Sequence, residues 1–284
     1  MVKVANSQFV CLKDGFDANV NRALEIADNA SSQNVDILLF QELFQTEYFC
    51  STKNNDFFNL AIEFPDHSIF QKFSNFCKAK NMVIPISFFE KHQDKYFNSL
   101  IVIDANGSLS DIYRKSHIPE GPGYNEKFYF SPGDTGFKVF KTKFATIGCA
   151  ICWDQWFPEC ARILAMQGAE LLFYPTAIGS EPQDPSLDSR KHWTNVMVGH
   201  AAANQIPIIA SNRIGTESEK DITVNFYGNS VIIDHIGNIV SQMNETEEGI
   251  NIHDFNIDEI KKYRESWGNF RDRRPDLYKK ICDF

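Results

Sequence analysis

The chain has no apolar stretch approaching the roughly 20 residues needed to span a bilayer. Its opening, Met1-Val2-Lys3-Val4-Ala5-Asn6, lacks the hydrophobic core of a signal peptide, so we expect a soluble cytoplasmic protein with no membrane partner. It also lacks an excess of positive charge. Its 28 Lys and Arg stand against 37 Asp and Glu, and a net charge of −9 gives non-specific nucleic-acid binding no basic surface. The seven cysteines are odd in number and follow no framework spacing, which suits a reducing compartment rather than a disulfide scaffold. No G-x-S-x-G or phosphate-binding glycine loop occurs, and His117, His192, His200 and His235 fall at no ligand spacing. A serine triad, a nucleotide site and a metal site therefore have no support. Linkers, repeats and low-complexity segments are absent as well.

What is present is an ordinary globular composition: 43% hydrophobic and 23% charged over 284 residues is enough to bury a sizeable core. Short apolar runs alternate with helical spacings. Strands are expected at residues 2–9, 37–40, 82–89, 98–103, 111–114, 144–151, 171–174, 206–212 and 229–233. Helices are expected at 16–30, 69–79, 158–167 and 187–204. Asn106-Gly107 is a hairpin signal between two of the strands, and hairpins mixed with βα units predict a mixed sheet.

The densest signal is Thr146-Ile147-Gly148-Cys149-Ala150-Ile151-Cys152-Trp153-Asp154, where a buried-strand pattern ends at a cysteine and a helix opens at Pro158. A thiol at a strand-to-helix turn is exposed to a ligand and close to backbone donors. Only the thiolate is a strong nucleophile, so Cys152 needs a nearby base or cation. Glu42, after Ile37-Leu38-Leu39-Phe40, and Lys115, after Tyr113-Arg114, supply both types. All three follow strand-like runs, the edge at which α/β folds gather their chemistry. Each also has a plainer reading, as core filler for Cys152, a solvated loop acid for Glu42 and a surface base for Lys115. Cys149 and Cys152 form a C-x-x-C pair, but within a strand residues three apart point to opposite faces, and Cys149 reads as a small core residue. The long irregular stretch 116–135, rich in Gly, Pro and aromatics, reads as functional.

Taken together, Glu42, Tyr113-Arg114-Lys115-Ser116-His117 and Cys149-Ala150-Ile151-Cys152-Trp153-Asp154 resemble the three signature segments of the nitrilase superfamily of carbon–nitrogen hydrolases, in that family's order. Flanking segments extend the resemblance over nearly the whole chain. Residues 117–130 and 173–182, with Ser211-Asn212-Arg213-Ile214-Gly215, 226–230 and 270–275, are similar to the branch acting on N-carbamoylputrescine. Glu120 stands where that branch is expected to carry Asp, and the acid is kept.

The resemblance implies a four-layer αββα sandwich with mixed sheets, formed by residues 1–284 as one carbon–nitrogen hydrolase domain. Subunits would pair into homo-oligomers, and the segment from about 267 to 284 would pack on the core or on a neighbour. It implies hydrolysis of a small carbamoylated amine, R-NH-CO-NH2, to an amine, ammonia and carbon dioxide, with no cofactor and no metal. Cys152 would be the nucleophile, Glu42 the proton carrier, and Lys115 with the Trp153 N–H the oxyanion donors. Glu126 would hold Lys115 or the substrate nitrogen. A terminal ammonium would be met by Glu181 first, with Glu120, Asp184, Tyr48, Trp153 and Trp156 also in candidate loops and Ala177 among the expected substrate contacts. One alternative is an N-carbamoyl-β-alanine or ω-amide hydrolase, its pocket read by Arg213 or Arg190. Another is a non-catalytic relative that binds partners through its oligomer surfaces.

Overall fold

Strand Val2–Gln8 (β1) shows the logic of the architecture: Val2 and Val4 pack in one core and Ala5 in another, because successive side chains leave a strand on opposite faces. The neighbouring Ile37–Leu39 (β2) divides the same way, with Ile37 and Leu39 on one side and Leu38 on the other. The computed structural model describes residues 1–13 and 15–283.

Leu38 and Ala5 face two helices, Phe16–Ser32 (α1) and Ser68–Lys80 (α2). These present Val20, Ala23 and Ala27, and Ile69, Phe70 and Phe73, at helical spacing. A left-handed Asn81 (φ 55°) stops α2 and turns the chain into hairpin Ile84–His92 (β3) and Lys95–Ile103 (β4). The short Tyr113–Arg114 (β5) then adds to β4. Backbone bonds between Asp36 or Leu38 and Val83 join this hairpin layer to β2.

Past the four-residue helix Glu126–Tyr129 (α3), the second sheet begins with Val139–Lys141 (β6) and Thr146–Cys149 (β7). Helix Pro158–Met166 (α4) leads to Leu171–Pro175 (β8), and Arg190–Asn204 (α5) to Ile208–Ser211 (β9). β7, β8 and β9 run parallel. The hairpin Ile214–Glu219 (β10) with Ile222–Tyr227 (β11) stands apart, and Val231–Ile233 (β12) and Ile239–Gln242 (β13) finish the sheet antiparallel. Gly249–Phe255 (β14) returns to pair with β1, and Ile257–Trp267 (α6) follows. β1 and β2 lie against β8 and β9, and α4 and α5 cover the outer face of the second sheet. The layers are α, β, β, α with mixed sheets, as the resemblance implied.

Some expectations shift at their edges. The helix foreseen from residue 187 starts at Arg190, after a turn in which Leu187 N–H bonds the Asp184 carbonyl. The strand foreseen to end at 89 runs on to His92, because hairpin pairing continues after the apolar pattern stops. The Asn106-Gly107 turn closes as expected, with Gly107 at φ 85° donating to the Asp104 carbonyl at 2.8 Å. Strands β6, β10, β11, β13 and β14 and helices α3 and α6 are not among the expected elements.

The chain after α6 is largely exposed. Phe270 is held between the Arg162 and Arg264 guanidinium groups, whereas Leu277 and Ile281 are about 60% exposed. This chain's own core therefore does not cover the final segment. Among the described residues, no helix is long and apolar enough to cross a membrane.

Candidate active site

Four side chains named from the sequence meet at one edge. Glu42 leaves the end of β2, Lys115 the end of β5, Cys152 the end of β7, and Glu126 begins α3 inside the long loop. Lys115 Nζ lies 2.8 Å from Glu42 Oε1 and 2.6 Å from Glu126 Oε2, and all three residues are fully buried. Glu42 Oε2 has no hydrogen-bond partner.

Two carboxylates around one ammonium leave the cluster with an excess negative charge in a medium that disfavours charge. Burial, then repulsion from Glu42, lifts Glu126 to about 7 against the pull of Lys115 and Tyr48. Burial works against the Lys115 ammonium, but the two carboxylates more than offset it and hold it above the ordinary lysine range. Burial and then the Glu42 charge also push the Cys152 thiol well up, with Lys115 opposing. Cys152 is thus held as a neutral thiol in a site whose Glu42 keeps one carboxylate oxygen without a partner, an arrangement suited to proton transfer rather than a standing thiolate.

The turn around Cys152 is tightly specified. Cys152 takes φ +44°, a left-handed value unusual outside glycine and concentrated at functional turns. The buried Asp154 carboxylate accepts from Ile151 N–H (3.0 Å), Tyr113 Oη (2.6 Å), His117 N–H (2.9 Å) and the His117 ring (Nδ1, 2.7 Å). It thereby ties the Cys152 turn to the segment that carries Lys115. His117 stacks flat on Phe157 at 3.6 Å. The Trp153 amide is in the first turn of the short 3-10 helix Cys152–Trp156, where a helix leaves its N–H groups unpaired. Gly133 closes the other side: a Cβ there would lie 2.1 Å from the Arg114 carbonyl, so only glycine lets the long loop lie against the strand end preceding Lys115.

A cavity of about 490 Å³ reaches Cys152 and Ala177, whose carbonyl is 4.0 Å from Cys152 Sγ. Carboxylates Glu120, Glu126 and Glu181 and indoles Trp153 and Trp156 line it, and among the described residues no Lys or Arg does. Glu120 also pairs with Lys53 at 3.0 Å, whereas Glu181 receives only a neutral Gln183 amide at 3.2 Å. Residues 119–122 and Tyr124 of the long loop form part of the wall.

Several expected residues sit elsewhere. Tyr48, expected at the substrate, is buried and does not line the cavity; its hydroxyl donates to Glu126 Oε1 at 2.7 Å. Asp184 is exposed and bonds Ser186. Arg213 and Arg190, the cations of the anionic-substrate alternative, do not reach the cavity. Arg190 pairs at the surface with Asp188 and Glu245. Arg213 is fully buried and gives its donors to the carbonyls of Glu42 (3.1 Å), Leu43 (2.7 Å) and Thr46 (3.0 Å) and to Glu217 (2.8 Å). Cys149 is a buried free thiol on β7.

Sequence reading missed Asn98, whose side chain donates to Glu42 Oε1 at 2.7 Å, and the turn-closing role of Asp154. The signal for Asn98 was present: Phe97-Asn98-Ser99-Leu100 sets two polar residues at the head of an apolar strand, where each needs a partner.

The pattern of the carbon–nitrogen hydrolase family matches residues 4–265. The N-carbamoylputrescine amidase of Oryza sativa subsp. japonica is 53% identical over 282 residues, covering 98% of this chain and 93% of that protein. The citrullinase of Francisella tularensis subsp. tularensis is 48% identical over 252 residues, covering 89% and 88%. Among solved structures, a carbon–nitrogen hydrolase from Helicobacter pylori G27 superposes with a TM-score of 0.93 at 32% identity, covering 99% and 98% of the two chains.

Proposed function

The chain belongs to the carbon–nitrogen hydrolase family, and on that premise we propose that it hydrolyses N-carbamoylputrescine to putrescine, ammonia and carbon dioxide. The observation that carries this choice of substrate is the cavity wall. Three carboxylates and two indoles suit a terminal ammonium, through ionic and cation–π contact, and the wall offers no Lys or Arg to a substrate carboxylate. Glu181 is the assigned ammonium partner, because Glu120 already holds Lys53 and Glu126 already holds Lys115. Trp153 and Ala177 would border the substrate.

The residues would run covalent catalysis. Glu42 Oε2 takes the Cys152 thiol proton as sulfur attacks the carbamoyl carbon. Lys115 and the Trp153 N–H stabilise the oxyanion. The bond to the terminal nitrogen breaks, and Glu42 returns its proton to the departing ammonia, leaving R-NH-CO-S-Cys152. Glu42 then takes a proton from water, whose oxygen attacks the same carbon. Sulfur leaves and regains its proton, and the released carbamic acid splits into amine and carbon dioxide. Glu126 holds Lys115 in place throughout. No step calls for a cofactor or a metal.

Two further readings belong with this one. The exposed final segment supports assembly with further copies of the chain, and seven free cysteines suit the cytoplasm. The deciding experiment is ammonia release from N-carbamoylputrescine, citrulline and N-carbamoyl-β-alanine by wild type and Cys152→Ala. Cys152-dependent turnover dominated by the first compound is expected. Preference for either carboxylate-bearing compound would keep the nucleophile and overturn the substrate.

A further inference from the structure

Strands β4 and β5 carry two buried ion pairs back to back. Ser99 is the register partner of Arg114, and on that face Ser99 Oγ donates to Glu90 Oε2 at 2.5 Å while Arg114 grips Glu90 at 2.6 and 2.8 Å. One residue earlier, side chains point the other way. There Asn98 Nδ2 donates to Glu42 Oε1 at 2.7 Å, and Lys115 Nζ reaches the same oxygen at 2.8 Å. The Asn98 carbonyl also accepts the Lys115 N–H at 2.8 Å, so one residue is tied to the strand end beside Lys115 and to the acid that Lys115 pairs with. Asn98 is fully buried and does not line the cavity.

A glutamate's terminal torsion is soft and roughly two-fold, and an ammonium with three donors can engage either carboxylate oxygen. Lys115 alone would not decide which oxygen faces the thiol. With two donors on Oε1, Oε2 is the atom left without a partner. The amide orientation follows from the chemistry, since the reverse would set oxygen against oxygen. Being neutral, the amide fixes the carboxylate without adding a second positive charge that would weaken Oε2 as a base.

We propose that Asn98 is a positioning residue for the reaction: with Lys115 it commits Glu42 Oε1 and so presents Oε2 to the Cys152 thiol. This rests on the acid–base role proposed for Glu42, and Asn98 itself touches no reacting atom.

The test compares Asn98→Leu, which removes the donor at similar volume, Asn98→Ser, which keeps a shorter donor, and Ser99→Ala on the opposite face. Three measurements are made: steady-state kinetics of ammonia release for kcat and KM, thermal midpoint, and the rate of iodoacetamide alkylation followed on the Cys152 peptide, because the exposed Cys282 would react as well. Losing a hydrogen bond to a charged group should lower kcat of Asn98→Leu by about ten- to a hundredfold with KM held within about twofold. Alkylation of Cys152 should slow in step, Asn98→Ser should recover part of both, and Ser99→Ala should lower only the thermal midpoint. Wild-type kcat and alkylation in both Asn98 variants would overturn the proposal. So would losses that merely track the folded fraction and are matched by Ser99→Ala. If Asn98→Leu does not fold, Asn98→Ser decides alone. If wild type does not turn over N-carbamoylputrescine, the substrate assignment fails, and the alkylation rates still decide the role of Asn98.

Discussion

Glu126 is set by burial and the nearby Glu42 carboxylate, which hold a proton on it, against the Lys115 ammonium and the Tyr48 hydroxyl, which oppose them. Its native value is raised from 4.5 to about 7, so between these limits the folded protein binds a proton that the unfolded chain has released. Stability must then fall as pH rises through that window, the reverse of the usual behaviour of a salt-bridged carboxylate. Glu126→Gln should remove this part of the slope. Denaturant melts of wild type and variant across pH 4.5 to 7 check it, and parallel slopes would remove Glu126 as the cause. Arg213 teaches a different lesson at the same scale: a guanidinium read from sequence as a substrate cation is buried and turns both terminal nitrogens to partners within the protein.

At the scale of elements, the segment after β2 is the part most in need of support. Leu43 there takes φ +50°, and the segment must hold Glu42 against Lys115 and Tyr48 against Glu126. Arg213, from the chain between β9 and β10, binds three of its carbonyls, and Glu217 of β10 accepts the Tyr48 N–H. Arg213 and the β10–β11 hairpin that follows it, which pairs with none of the other strands, thus brace the segment that carries Glu42 and Tyr48. Arg213→Met should cost about 3–5 kcal/mol, because it leaves Glu217 buried without its cation. The double variant Arg213→Met/Glu217→Leu should regain part of that stability while kcat stays low. Denaturant midpoints and steady-state rates on the same preparations test this, and recovery of kcat along with stability would show that the brace has no catalytic consequence.

For the whole molecule, the sandwich brings strand ends from two layers to one edge: β2 and β5 from the layer whose two three-stranded sheets are joined at Val83, β7 from the six-stranded sheet. The outer helices and both sheets complete their own cores, whereas the chain beyond α6 does not. Trp267 at the end of α6 and Leu277 and Ile281 beyond it are more than half exposed, and a lone surface of that kind calls for cover. Truncation after Phe270 should therefore leave the thermal unfolding of the remaining chain's core little changed and lower the molar mass measured by light scattering. An unchanged mass would assign assembly to another face.

Local chemistry made much of this readable in advance. Alternating and helical periodicities located most strands and helices, because each element must hide one face whatever its neighbours are. Cys152 stood out because a strand pattern ended in a thiol and a helix followed, and Glu42 and Lys115 because charged groups closed strand-like runs. The resemblance then extended these signals to a fold and an activity. What sequence could not supply were relations between distant segments. β14 pairs with β1 across some 250 positions, Asn98 finds Glu42 over a separation of 56, and Arg213 reaches that segment from 171 residues away. Tyr48 and Arg213 changed roles for the same reason. A residue's type sets which bonds it can make, and only the packed structure decides which partner it meets and whether water or substrate can reach it. The sequence by itself determined the chemical groups and the strands and helices that carry them. Tertiary structure determined that two carboxylates, one ammonium and one thiol share a buried corner, because burial and mutual distance arise only when the two sheets close on each other.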